Sequence, residues 1–288
     1  TILQELTEVC SMKRYFLFGL TNILVITSLF TIYSILTAFQ VVPTGYANSI
    51  VLFSVVFGFG GSFISLLISK WMAKTMMRVQ VVDTRGQFAP LVHQVHQLAK
   101  QAGLPKMPEV GVYESDEVNA FATGPSKSNS LVAVSTGLLR RMKQDELHGV
   151  LAHEVAHISN GDMVTMTLVQ GVVNTFVIIV SRIATDLIAS AMRGNSERGI
   201  GDSWFFRMMI YNFVYSLVAF AAMPLVAWFS RYREYRADAG GAKLAGQGAM
   251  TAALERLRNT SELIDTSESA FQSMKIANKS SFAELILP

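Results

Sequence analysis

No charged residue lies between Arg14 and Lys70. Pro43-Thr44-Gly45 divides this stretch into two apolar runs, 15–39 and 47–69. Each is longer than the ~20 residues a helix needs to cross the hydrocarbon of a bilayer. A secretory signal peptide would have a shorter apolar region, no immediate second span and a small-residue cleavage site, so the segment reads as a membrane hairpin. A hydrophobic content of 51%, with 16% charged residues and a mean hydropathy of +0.36, excludes a purely soluble chain. Two further charge-free runs, 163–181 and 208–230, flank a segment containing Arg182, Asp186, Arg193, Glu197, Arg198, Asp202 and Arg207. They predict a second hairpin. Thr165, Thr167, Gln170, Asn174, Asn212 and Pro224 within them leave a buried helical pair as the alternative.

Loop charges orient the chain. Lys13 and Arg14 precede the first run, the turn 40–46 has no charge, and Lys70, Lys74 and Arg78 follow the second, which places both ends of the first hairpin in the cytoplasm. The expected organisation is therefore an N-terminal extension (1–14), a hairpin (15–70), the first part of a cytoplasmic domain (71–162), a second hairpin (163–230) and the second part of that domain (231–288). Gly58, Gly61 and Ser62 read as small residues for close helix packing, since no lysine follows to make a phosphate loop. In the polar region, helical spacing covers 87–102, strand candidates follow at 110–113, 120–123 and 131–135, and Gly124-Pro125-Ser126 is the expected turn between the last two. A helix over 138–159 is expected to stop at Asn160-Gly161, and a long one is expected over 231–257.

That helix over 138–159 carries His153-Glu154-Val155-Ala156-His157. The four-residue spacing puts both imidazoles on one face, a turn apart, where they can share one zinc ion. Glu154 beside them can take a proton from a water at the metal. Val155 and Ala156 suit a helix buried behind its metal better than a solvated one. A catalytic zinc needs a third protein ligand, and Met163 occupies the position where a metzincin would have a histidine. His93, His96 and His148 read as solvated or locally satisfied.

A carboxylate does better. Glu234 and Asp238 lie four residues apart on one helical face, directly after the fourth apolar run. Glu234 would complete a two-histidine, one-glutamate site, and Asp238 would accept the other ring N–H of His153. The small residues Ala237, Ala239, Gly240, Gly241 and Ala242 would let this helix pack closely against the zinc helix. A ligand before the third run and one after the fourth share a membrane face only if residues 163–230 cross twice or not at all.

Other classes fit less well. A net charge of +3 without a basic stripe gives no reason to expect nucleic acid. One cysteine, Cys10, excludes an internal disulfide and a cysteine-rich metal site. A scaffold or receptor with structural zinc would need a closed site, usually of four ligands. An intramembrane protease would not carry Arg140, Arg141, Lys143, Asp145 and Glu146 on its zinc helix.

At these residues the sequence resembles the HtpX-type membrane zinc metalloproteases, relatives of the prenyl-protein endoproteases. The matching blocks are Phe57-Gly-Phe-Gly-Gly-Ser-Phe-Ile-Ser-Leu66, Asn119-Ala-Phe-Ala-Thr-Gly124, Ser130-Leu-Val-Ala-Val-Ser-Thr-Gly-Leu-Leu139, Ala152-His-Glu-Val-Ala-His-Ile-Ser-Asn-Gly-Asp162 and Trp228-Phe-Ser-Arg-Tyr-Arg-Glu-Tyr-Arg-Ala-Asp-Ala239. The resemblance implies a multi-pass α-helical protein of the bacterial inner membrane with a cytoplasmic α+β zincin-like domain. It implies one Zn2+ per chain on His153, His157 and Glu234, with Glu154 as general base. The implied role is stress-related quality control, cleaving misfolded membrane proteins alongside an ATP-dependent membrane protease. Asn119, Ala120 and Phe121 would border the cleft, where an extended substrate adds as a strand; ordinary core packing is the alternative for Phe121. Such chains usually start near the position of Met12 and continue past a Phe-x-Glu-Leu stretch, here Phe282-Ala-Glu-Leu285, into a segment from which no transition-state-stabilising residue is assigned in this sequence.

Overall fold

The computed structural model describes residues 47–193 and 203–260; the expected first span (15–39), the N-terminal extension and the Phe282 stretch lie outside them. In chain order the described elements are α1 (Ala47–Met76), β1 (Gln80–Val82), α2 (Ala89–Gln101), β2 (Glu109–Tyr113), β3 (Ala120–Ser126), β4 (Asn129–Ser135), α3 (Thr136–Arg141), α4 (Gln144–Asn160), α5 (Asp162–Arg193), α6 (Trp204–Ala245) and α7 (Gln247–Thr260). The described residues fall into two compact units, one drawn from 47–61 and the described part of 169–224, the other from 62–168 and 225–260.

Among the described residues, three helical stretches are long and apolar enough to cross a membrane: Ser54–Met76, Asp162–Met192 and Trp204–Ala245. A helical pair buried in a soluble domain would hide its apolar faces. Here only 28% of the most apolar stretch of α5, and none of that of α6, is buried within the protein. In the first unit, a Cβ on Gly58 would lie 2.2 Å from Thr175 Oγ1 and 2.7 Å from its Cα. A small residue is what lets α1 and α5 touch there. Among the described residues nothing lies within 4 Å of a Cβ placed on Gly61. An Arg207–Asp186 ion pair joins α6 to α5, and the Arg182 guanidinium stacks 5.1 Å from the centre of the Tyr211 ring.

The second unit is built on a four-stranded sheet in the order β1-β2-β4-β3. Strands β2 and β4 run parallel, and each edge strand is antiparallel to its neighbour. Side-chain alternation sorts the strands between two cores. Val110, Val112, Ala120, Val132 and Val134 join Leu91, Val95 and Leu98 of α2, Val150, Leu151 and Val155 of α4, and Leu257 of α7. On the opposite face, Tyr113, Phe121, Leu131 and Ala133 pack with Val79 and with Ala73 of α1. Each fully buried Leu or Val contributes about 1.5–3 kcal/mol relative to exposure, so the sheet is clamped from both sides. Lys70 and Lys74 near the end of α1 pair with Glu109 at 2.9 and 2.6 Å, tying that helix to the start of β2.

Three local expectations are corrected, and one strand was not expected. The helix expected over 138–159 is two helices: Met142 is extended (ψ 141°), and the Lys143 N–H donates to Glu146 Oε2 at 2.8 Å, which starts α4 afresh. The turn between β3 and β4 falls at Lys127-Ser128, and Gly124-Pro125-Ser126 belongs to β3, where the register shifts between Thr123 and Ser126. The helix expected over 231–257 breaks at Gly246 (φ +88°), and its first part continues α6 without interruption from Trp204. The short β1 carries no strand signature of its own and is held by pairing with β2.

Candidate metal centre

Helix α4 carries the paired histidines because its sequence makes it a core helix. Ala152, Val155 and Ala156 are buried, as are His153 and Glu154 at 4% and 3% exposure. The helix stops at Gly161, whose left-handed backbone (φ +71°) closes the last turn with its N–H 3.0 Å from the Ile158 carbonyl. The next residue, Asp162, begins α5 and is itself buried.

Helix α6 then brings in the distant carboxylate. Its approach depends on the small residues noted in the sequence: a Cβ on Gly240 would sit 2.8 Å from Ala156 Cβ, and one on Gly241 would sit 3.2 Å from His153 Cα. Ala237 is fully buried. With the helices this close, Glu234 Oε2 lies 3.4 Å from His153 Nε2 and 3.3 Å from His157 Nε2, and the two Nε2 atoms are 3.0 Å apart. Tetrahedral zinc with Zn–N and Zn–O bonds of about 2.0–2.2 Å requires ligand atoms about 3.3–3.5 Å from one another. The triangle therefore has the size of one metal ion.

The outer contacts supply a second test of fit. His157 Nδ1 lies 2.8 Å from Asp162 Oδ2, and His153 Nδ1 lies 2.8 Å from Asp238 Oδ1, the latter less well aligned. Each carboxylate favours the proton on Nδ1, which turns both Nε2 lone pairs toward a carboxylate oxygen. Three lone pairs converging on one point suit a cation. Burial opposes charge on His157, yet the hydrogen bonds to Asp162 and Glu234 and the nearby Glu154 outweigh it, so its pKa stands above the ordinary 6.5. A ligand imidazole must shed its proton, so metal affinity is expected to fall as pH drops through a value above 6.5, sooner than for an ordinary histidine. Zinc titrations of the purified protein between pH 8 and pH 6 check this; flat affinity across that range would contradict it.

The remaining histidines have other company. His96 Nε2 contacts the Pro108 carbonyl at 3.1 Å, His148 Nδ1 contacts Gln94 at 2.8 Å, and His93 is exposed. Asp162 was missed by sequence reasoning, although an acid at the first position of a helix right after a glycine stop was the available signal. Arg233 was missed as well; its Nη2 donates to Glu234 Oε1 at 2.9 Å. Asn119, Ala120 and Phe121 lie at the start of the edge strand. Asn119 extends the ladder through its carbonyl, which accepts from the Ser135 N–H at 2.9 Å. Ala120 faces the core shared with α4, while the Phe121 ring points to the opposite core, 5.8 Å from that of Tyr113.

Residues 86–273 match the model of peptidase family M48. The chain is 50% identical over 280 residues to Protease HtpX of Shewanella baltica, covering 96% of this chain and 95% of that protein. It is equally similar, with the same coverage, to Protease HtpX of Shewanella oneidensis. Among solved structures it resembles the crystal structure of S. mikatae Ste24p with a TM-score of 0.53 at 20% identity. That likeness takes in 85% of this chain and 58% of the other, and it concerns the fold.

Proposed function

The chain belongs to peptidase family M48, and from that premise we propose that this membrane-bound metalloprotease is a zinc endopeptidase. His153, His157 and Glu234 hold one Zn2+, and Glu154 serves as general base. The observation that carries the reading is the convergence of Glu234 Oε2 and the two Nε2 atoms within 3.4 Å of one another, from helices separated by 77 positions between His157 and Glu234. When bound, zinc supplies a Lewis acid for the peptide carbonyl and makes water a nucleophile at neutral pH. Glu154, buried next to the two histidines, accepts the proton of the attacking water and returns it to the leaving amine. Asp162 and Asp238 hold the imidazoles in one tautomer and orientation. β3 is the outermost strand on its side of the sheet among the described residues, and its edge would offer backbone groups to which an extended substrate can add as a strand, with Ala120 and Phe121 anchoring the strand in the cores on its two faces.

We read the site as lying at the cytoplasmic face of the bacterial inner membrane, on an α+β zincin-like domain divided by the second hairpin. Arg231, Arg233 and Arg236 directly follow the apolar part of α6, as the positive-inside rule requires of a cytoplasmic end. Glu234 follows Trp228 by six residues on α6, just beyond the apolar run. Substrates would be misfolded membrane proteins presented at that surface, with an ATP-dependent membrane protease as a cooperating partner. The test is metal analysis and proteolysis on detergent-purified protein. One zinc per chain is expected, with cleavage of an unfolded membrane protein lost on chelation and restored by zinc. Cleavage that survives removal of all metal would overturn the reading.

A further inference from the structure

A glutamate can bind a metal through one oxygen or both. Two-oxygen binding would fill a coordination position that a catalytic site keeps for water and substrate. In this site the two oxygens of Glu234 have different partners: Oε2 faces both imidazoles at 3.3–3.4 Å, while Oε1 accepts from Arg233 Nη2 at 2.9 Å. Arg233 has only 23% of its side chain exposed, and its Nε is buried without a hydrogen-bond partner among the described residues. Its contact with Glu234 is made through Nη2. The other nearby arginine, Arg236, is engaged elsewhere, over the Tyr232 ring at 5.9 Å and toward Asn160 Oδ1 at 3.4 Å.

We propose that Arg233 is a positioning residue for the metal ligand: by holding Oε1 of Glu234, it makes that glutamate a one-oxygen ligand and keeps the fourth coordination position open. The charge-assisted hydrogen bond is stronger than a neutral one and fixes the plane of the carboxylate. It also offsets part of the negative charge that Glu154, Asp162, Glu234 and Asp238 bring to one place. Without it, Oε1 is free to swing toward the ion. This inference rests on the ligand assignment made above.

The test uses full-length detergent-solubilised protein, with zinc or cobalt(II) ions alone as probes. Visible absorption of bound cobalt(II) weakens markedly from four- to five-coordination. Arg233→Met is expected to weaken the cobalt bands markedly, as Glu234 binds through both oxygens. Arg233→Lys, which keeps a cationic donor, is expected to recover part of their intensity. A wild-type cobalt spectrum in Arg233→Met, whatever its affinity, overturns the proposal. Should Arg233→Met not fold, zinc-edge X-ray absorption of the wild type decides: one carboxylate oxygen at bonding distance supports the proposal and two overturn it. Glu234→Ala separates the two levels. If it binds zinc as the wild type does, the ligand assignment fails; if it loses zinc while Arg233→Met keeps the wild-type spectrum, only the role of Arg233 fails.

Discussion

Replacing Glu154 with Gln is expected to leave zinc bound and to lower cleavage of an unfolded membrane-protein substrate by roughly 10²–10⁴-fold, the contribution general acid–base catalysis usually makes. The amide is nearly isosteric with the carboxylate, so the packing of a residue only 3% exposed is preserved. What the variant loses is the capacity to accept a proton. Because Glu154 is not one of the three converging groups, the metal content should stay at one zinc per chain. Metal analysis and turnover on the same preparation check both halves. Turnover near the wild-type rate would remove Glu154 from its role, and loss of zinc would make it a structural residue of the site.

Glu234→Ala is expected to have the opposite signature, with metal and activity lost together. It deletes one of three ligand atoms, so zinc affinity should fall by more than the roughly 10–100-fold that an outer partner costs. It also leaves the Arg233 guanidinium without its acceptor beside two imidazoles, and the added repulsion works against binding a cation. Competitive zinc titration against a chromophoric chelator measures the loss. Affinity within a few-fold of wild type would show that another group completes the site. The fold should survive, because Glu234 contributes little to the main core, which is formed by α2, α4, α7 and the sheet.

Much of this was readable from residue order. The His153–His157 spacing, the apolar residues between them and the glycine stop at 161 all express a helix period, and a period is a local property. The apolar runs were equally plain, since a bilayer demands length and absence of charge. The break at Met142-Lys143 was not readable: an uninterrupted helical pattern ran through it, and the decision came from the Glu146 carboxylate capping a backbone N–H. The β3–β4 turn slipped for a similar reason. Gly124-Pro125-Ser126 has turn chemistry, but pairing with β4 held Ser126 in the ladder opposite Asn129.

Sequence by itself determined which residue types could bind a metal, which helix carried the first two, and that the chain must meet a bilayer. Tertiary structure alone decided that Glu234 Oε2 reaches both imidazoles, that Asp162 rather than a remote residue backs His157, and that Arg233 holds the other oxygen of Glu234. The division has a physical cause. Helical periodicity and hydrophobic length are set by neighbours along the chain. The meeting of α4 with α6 is set by how closely Gly240 and Gly241 let two backbones approach, a matter of tenths of an ångström that only the packed state fixes.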